Sequence, residues 1–376
     1  MKKNCMLTPG PTMVPHEVLL AEAAPMVHHR TKEFSAFMAE TAEGLKKLFG
    51  TQQDVYILAG SGTAGMEAAV ANVCSPGDKM ICAVGGKFGE RWAELGRAFG
   101  CEVVEIPIEW GRSFEPEQAR DALRAHPDAR ALYVTHSETS TGALSDVKAI
   151  AQLTRETPTL LAVDSITGVG VHPVKMDEWG LDIVVSGSQK GCMMAPGLAF
   201  IAVSPRTWDA VKACQSPRYY LDLTAARRNW EKLGTAFTAP VSLVHALRRA
   251  LEMIFDEGLD QVFERHARLA RAARAAVQAL GLRLLAERPA NGVTAAYVPD
   301  GMSSSRLIAL MRDKHGVTMA DGQGDLKGRI IRIGHMGYVS EGDLLVGLAA
   351  LEAGLREMGH AIELGGGLRA AQEALA

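Results

Sequence analysis

Short apolar runs recur along the first two-thirds of the chain, and each stops abruptly at small or polar residues. They read VYILA (55–59), KMICAV (79–84), CEVVEIPI (101–108), ALYVTH (131–136), LLAVDS (160–165), DIVVSG (182–187) and LAFIAVS (198–204). Most are apolar on both sides, rich in β-branched residues, and separated by stretches with helical spacing such as MEAAVANV. This pattern predicts an α/β fold with a seven-stranded, mainly parallel sheet covered by helices on both faces. After TAPVSLVHALRRALEMIFDEG (238–258) the pattern changes. This stretch predicts a long helix with Pro240 near its start and a break at Gly258, and a second helix runs to about Leu280. LRLLAE, GVTAAYVP, a helix near SSSRLIALMRDKHG, GRIIRIGHMG and a last amphipathic helix then form a smaller α+β unit. The expected division is a large domain over 1–250 and a small C-terminal domain over 251–376.

In open α/β sheets, ligands bind beyond the carboxyl ends of the strands, so the residues that follow each apolar run carry the chemistry. AGSGTAG (59–65) follows a strand and opens a helix, and Gly60, Gly62 and Gly65 match G-x-G-x-x-G. Free N–H groups and the helix dipole make such a turn receptive to phosphate, with the hydroxyls of Ser61 and Thr63 at hand. A dinucleotide site further requires an acid at the end of the next strand, where the chain has Gly85 and Gly86. A phosphate without an adenosine ribose fits better than a nicotinamide cofactor. Asp164 ends a strongly apolar strand, where a carboxylate is desolvated unless a cation or donor meets it. The hydroxyl-rich THSETSTGAL (135–144) follows another strand; His136 and Glu138 lack a third ligand for a metal site. Lys190, just past DIVVSG, is by itself an ordinary loop lysine. Beside an acid and a phosphate turn on one sheet edge it becomes an amine suited to Schiff-base chemistry.

The remaining composition narrows the partners. With 376 residues, 47% hydrophobic and 22% charged, and a net charge of −3, the balance gives no support to nucleic-acid or membrane binding. The six cysteines form no C-x-x-C pair, which argues against zinc and iron–sulfur sites, so no metal is expected. The amino-terminal MKKNCMLTPGPT lacks the apolar core of a secretory signal, so a cytoplasmic protein with free thiols is expected.

Several ordered motifs carry a resemblance across nearly the whole chain: LTPGPTMVP, MVHHRTKEF, SGTAGMEAAV, GGKFGERW, THSETSTG, VDSITGVG, SGSQKG, FTAPVSL and RIGHMGY. Together they resemble the class V aminotransferases, pyridoxal 5′-phosphate (PLP) enzymes of fold type I, in the alanine/serine–glyoxylate branch. The resemblance implies Lys190 as the Schiff-base lysine and Asp164 as the partner of the pyridine nitrogen. It implies Ser61, Gly62, Thr63 and Gln189 at the phosphate, Phe88 stacked on the ring and Thr139 at the ring hydroxyl. It further implies Thr238 reaching the phosphate from the other subunit of a homodimer, Arg332 on the substrate α-carboxylate, and Pro9 and Gly10 lining the substrate pocket. Two features depart from the human-like relatives: Thr235 sits where they have a phosphate-binding tyrosine, and the SGTAG turn lacks their histidine.

The implied reaction passes an amino group from alanine or serine to glyoxylate or pyruvate with ping-pong kinetics. A 2-aminoethylphosphonate-type transaminase is the alternative within the class, and a nicotinamide-dependent dehydrogenase the alternative outside it. A cysteine desulfurase would need a nucleophilic cysteine late in the chain, whereas the last is Cys214.

Overall fold

The computed structural model describes residues 4–376. All seven apolar runs form one sheet: β1 (Val55–Ala59), β2 (Lys79–Val84), β3 (Glu102–Pro107), β4 (Ala131–Thr135), β5 (Leu160–Asp164), β6 (Ile183–Gly187) and β7 (Leu198–Val203). Their order is β1-β7-β6-β5-β4-β2-β3. Six strands run one way, and β7 is antiparallel to both neighbours. An antiparallel return needs no crossover helix, which is why the short loop 188–197 joins β6 to β7. The central strands are buried on both faces, as their unbroken apolar runs require. β3 lies at the edge, and its exposed Glu102, Glu105 and Pro107 give it the charge and missing donor that discourage strand addition.

Helix α1 (Gly62–Ala71) leaves β1 and packs on the sheet at close range, since a side chain at Gly65 would lie 2.5 Å from Val185. Helix α2 (Lys87–Ala98) follows β2. At the opposite edge, buried Asp182 accepts hydrogen bonds from the Leu161 amide, Ser204 Oγ and the Arg206 guanidinium. That edge is closed by structural bonds, while the other ends in loops.

The long helices α3 (Val241–Glu257) and α4 (Leu259–Ala279) meet at Gly258, whose φ of 88° lets the chain turn. They span two apolar clusters. The larger runs from Val18 to Val262 and the smaller joins Leu269–Ala371 to Cys5 and Leu7. In the smaller unit β8 (Val293–Tyr297), β9 (Ala320–Asp321) and β10 (Ile330–Gly334) form an antiparallel sheet in the order β8-β10-β9. LRLLAE contributes only the bridge Leu284↔Ala296. The expected last helix is two, α5 (Glu341–Glu357) and α6 (Gly366–Leu375), separated where Gly359 and Gly365 take positive φ. The amino-terminal Cys5–Met6 pairs with Val317–Thr318, so the first described residues belong to this unit's core. Cys74, Cys82, Cys101, Cys192 and Cys214 are free thiols, and among the described residues no helix is long and apolar enough to cross a membrane.

Candidate active site

Sheet register sets the site. Thr135 at the end of β4 pairs with Asp164 at the end of β5, and Asp164 pairs with Val185 of β6. Lys190 lies three residues beyond β6, with only 7% of its surface exposed. Its Nζ donates to Pro9 O at 2.6 Å. Gly10, at φ 117°, approaches so closely that a Cβ there would overlap the lysine side chain. The amino-terminal loop is thus a lid over the amine, held down by Thr12 N donating to Gln189 O at 3.1 Å.

Asp164 is equally buried, and its Oδ1 accepts from the Ile166 amide at 2.9 Å. Burial pushes its carboxyl up to about 7, and the nearby charge of Glu138 adds to the rise. Burial brings Lys190 down to about 8; the Arg332 and Arg91 charges add to the fall, while Asp164 opposes it. The arrangement therefore offers an amine that sheds its proton near neutrality and an acid that gains one there. His136 donates its backbone N–H to Asp164 O at 2.9 Å, its Nδ1 meets Ser165 Oγ at 3.0 Å, and burial lowers its pKa to about 4. It buttresses this strand end as a neutral ring.

At the start of α1, Ser61 is exposed and its side chain makes no cap to the helix. Gly62 lies against Ile166 with no room for a Cβ, which would fall 2.5 Å from that side chain. Gly187 faces both Gly62 and Gln189, so these three residues are packed together. Gln189 Oε1 is buried without a partner among the described residues. Thr63 Oγ1 accepts from Arg91 Nη1 at 3.2 Å, and the Arg91 guanidinium lies 4.9 Å from the centre of the Phe88 ring. An uncapped helix start, hydroxyls and a guanidinium together make an anion-receptive corner.

Thr139 and Arg332 come together from the two units. Arg332, on β10 and 8% exposed, donates Nη1 to Thr139 O at 3.1 Å and Nε to Asp321 O at 2.8 Å. Its Nη1 also lies 3.5 Å from Gln323 Oε1. Thr139 Oγ1 is 2.6 Å from Thr167 Oγ1. Thr238 stands apart. It is exposed, on a groove of about 640 Å³ formed with Met26–His29 and Pro240–Leu243. Glu138 and Arg91 were not assigned roles from sequence, although GGKFGERW places Arg91 three positions after Phe88, one helical turn on.

The two titrations carry a stability signature. Between pH 4 and about 7 folded Asp164 keeps a proton that the unfolded chain has released, so its contribution falls as pH rises. Between about 8 and 10.5 the unfolded chain holds a proton that folded Lys190 has lost, so that contribution rises with pH. Both penalties are complete between about 7 and 8. The melting temperature of Asp164→Asn should equal the wild type's near pH 4 and exceed it increasingly up to pH 7. A constant difference across that range would remove this account.

The sequence profile described as Aminotransferase class-V matches residues 7–327. A protein of Synechococcus sp. (strain PCC 6716) named soluble hydrogenase, small subunit, is 43% identical over 99% of this chain and 98% of its own. The L-aspartate–glyoxylate aminotransferase of Paracoccus denitrificans is 36% identical over 99% of this chain and 96% of its own. The crystal structure of ureidoglycine–glyoxylate aminotransferase from Bacillus subtilis superposes with a TM-score of 0.95 at 32% identity, covering 100% of this chain and 98% of the other.

Proposed function

The chain belongs to the class-V aminotransferases, and from that premise we propose that it moves the amino group of alanine or serine to glyoxylate or pyruvate with pyridoxal 5′-phosphate as cofactor. The observation that carries this reading is the burial of the Lys190 amine and the Asp164 carboxyl together at one end of the sheet. The donor set fits the cofactor. Asp164 has one amide donor and no ion-pair contact among the described residues, so it suits a protonated ring nitrogen. The bare start of α1, with Ser61, Gly62, Thr63 and Gln189, suits a phosphate. When bound, PLP supplies an aldehyde for the amine and a ring that accepts an electron pair.

The protein's own groups divide the remaining work. Lys190, neutral in a large fraction of molecules near pH 8, takes the proton from the substrate Cα and returns one elsewhere. Asp164 keeps positive charge at the ring nitrogen. Phe88 supplies an apolar face, and Thr139 adds a hydroxyl. Arg332 meets the substrate α-carboxylate with its planar fork, and Pro9 and Gly10 exclude water above the amine. One oxo acid leaves before the next enters, which gives ping-pong kinetics.

A small donor fits best. Arg91, the other guanidinium whose charge is felt at Lys190, is already engaged with Thr63 and Phe88. Glyoxylate as acceptor is supported by the names of the Paracoccus and Bacillus proteins, whose named donors are aspartate and ureidoglycine. The hydrogenase name of the Synechococcus relative finds no matching donor set, since no three His, Cys, Asp or Glu side chains among the described residues are placed to hold a metal. In this reading the described residues up to 250 form the cofactor-holding domain and 251–376 the small one, except that Cys5 and Leu7 reach across into the small domain's core. A homodimer completes the site: exposed Leu20, Met26 and Tyr219 and the groove at Thr238 provide an apolar surface for a second copy. Mixing the loaded protein with single amino acids and following loss of its visible absorbance tests the reading. Alanine and serine should bleach it faster than aspartate or 2-aminoethylphosphonate. Faster bleaching by either of the latter would overturn the donor assignment.

A further inference from the structure

Glu138 is a fully enclosed acid that none of the roles above uses. Its Oε2 accepts from the amides of Phe88 and Gly89, each at 3.1 Å, and its Oε1 from the Ser140 amide at 3.1 Å and from Ser140 Oγ. Ser140 Oγ accepts in turn from the Lys87 amide at 3.1 Å. The first three N–H groups of α2 are therefore satisfied from another element, the loop after β4. The residue at the cap position, Gly86, has no side chain to offer. Nor has it room for one, because a Cβ there would overlap Ser140 Oγ and lie 2.5 Å from the Glu138 carboxyl carbon.

This cap has a directional consequence. Phe88, at the second position of α2, is fixed by its own backbone N–H, and Arg91 follows one turn on, over the Phe88 ring and against Thr63. Between the two capping residues, Thr139 receives Arg332 on its carbonyl. One tripeptide thus ties the ring wall, the phosphate corner and the carboxylate clamp to the end of β4. A carboxylate at a helix start also meets the positive end of the dipole, and charge-assisted bonds are stronger than neutral ones.

Resting on the PLP reading, we infer that Glu138 is a positioning residue: by capping α2 from outside it sets the place of Phe88 and so the affinity for the cofactor ring. Glu138→Gln keeps the side-chain size but leaves one acceptor oxygen in place of two, so either the Phe88 and Gly89 amides or the Ser140 amide must face an NH₂, which weakens the cap on one side. PLP titrated into cofactor-free protein, followed by visible absorbance, gives the dissociation constant. Glu138→Gln should raise it about tenfold or more. Ser140→Ala, which removes one strut of the same cap, should raise it in the same direction by less. The decisive readout is coupling. If Glu138 acts through Phe88, Glu138→Gln combined with Phe88→Leu should be little worse than the worse single variant. A general loss of stability would multiply the two effects instead.

Equal affinities for Glu138→Gln and wild type, or full multiplication with Phe88→Leu, overturn the inference. Should Glu138→Gln not fold, the Ser140→Ala and Phe88→Leu cycle decides by the same criterion. Wild-type protein that takes up no PLP overturns the cofactor reading as well. Wild type that takes it up, with Glu138→Gln its equal, overturns only this inference.

Discussion

Replacing Lys190 by alanine is expected to lower turnover by roughly 10⁴-fold or more, because in the proposed mechanism it removes a covalent anchor and a proton carrier at once. The fold should survive. The amine's protein contact is a single bond to Pro9 O, and its burial is unfavourable to the charged form. The check has two parts. Borohydride should fix PLP irreversibly to the wild type and not to the variant, and single-turnover rates with alanine should fall by the stated factor. Partial recovery on adding a small primary amine would identify the proton-transfer share of the loss. A variant that keeps wild-type turnover would remove Lys190 from the chemistry.

Asp164→Asn should reduce kcat by about 10²–10³-fold while making the cofactor-free protein more stable at neutral pH. Both effects have one origin. The asparagine oxygen still accepts from the Ile166 amide, so local geometry is kept. The side chain no longer carries the charge that burial resists, and no longer supplies the negative potential that a protonated ring nitrogen needs. Stopped-flow rates with alanine and thermal melts at pH 7 measure the two halves. A loss of both rate and stability would mean that Asp164 serves packing instead of charge.

Much of the large sheet was legible because its strands are buried on both faces. Val55–Ala59 and Lys79–Val84 coincide with their apolar runs, and ALYVTH and LLAVDS overrun theirs by one residue, where polar His136 and Ser165 turn away into the loops. Strand order was not legible, since pairing is decided by connections and packing. The absence of a helix between DIVVSG and LAFIAVS was nonetheless a visible sign of an antiparallel return. LRLLAE forms no strand of its own, because Leu285 packs into the core beside β8 and the segment meets β8 through the isolated bridge Leu284↔Ala296. The final helix divided where Gly359 and Gly365 interrupt a pattern that is otherwise helical on both sides.

The site divides along the same line. Lys190, Asp164 and the Gly62 turn are each ambiguous alone, and stand out in the sequence because all three follow apolar runs that belong to one sheet. Glu138 and Arg91 act through backbone amides and side chains of distant elements, and no spacing rule in a single sequence encodes that Glu138 caps a helix fifty residues before it. Arg332 meets Thr139 across 193 positions.

The loop at residues 8–12 has a consequence for how the molecule is made. Leu7 bonds to Thr318, Gly334 bonds back to Leu7, and Pro9 receives the amine of Lys190. A ribosome emits this segment well before any of those partners exist. The large sheet can be assembled while the segment waits, so nascent chains should pass through a stage with a finished scaffold and an uncovered, hydrated lysine. Competence for chemistry then arrives as a late, separate event, once the carboxyl-terminal strands give the leading end something to hold.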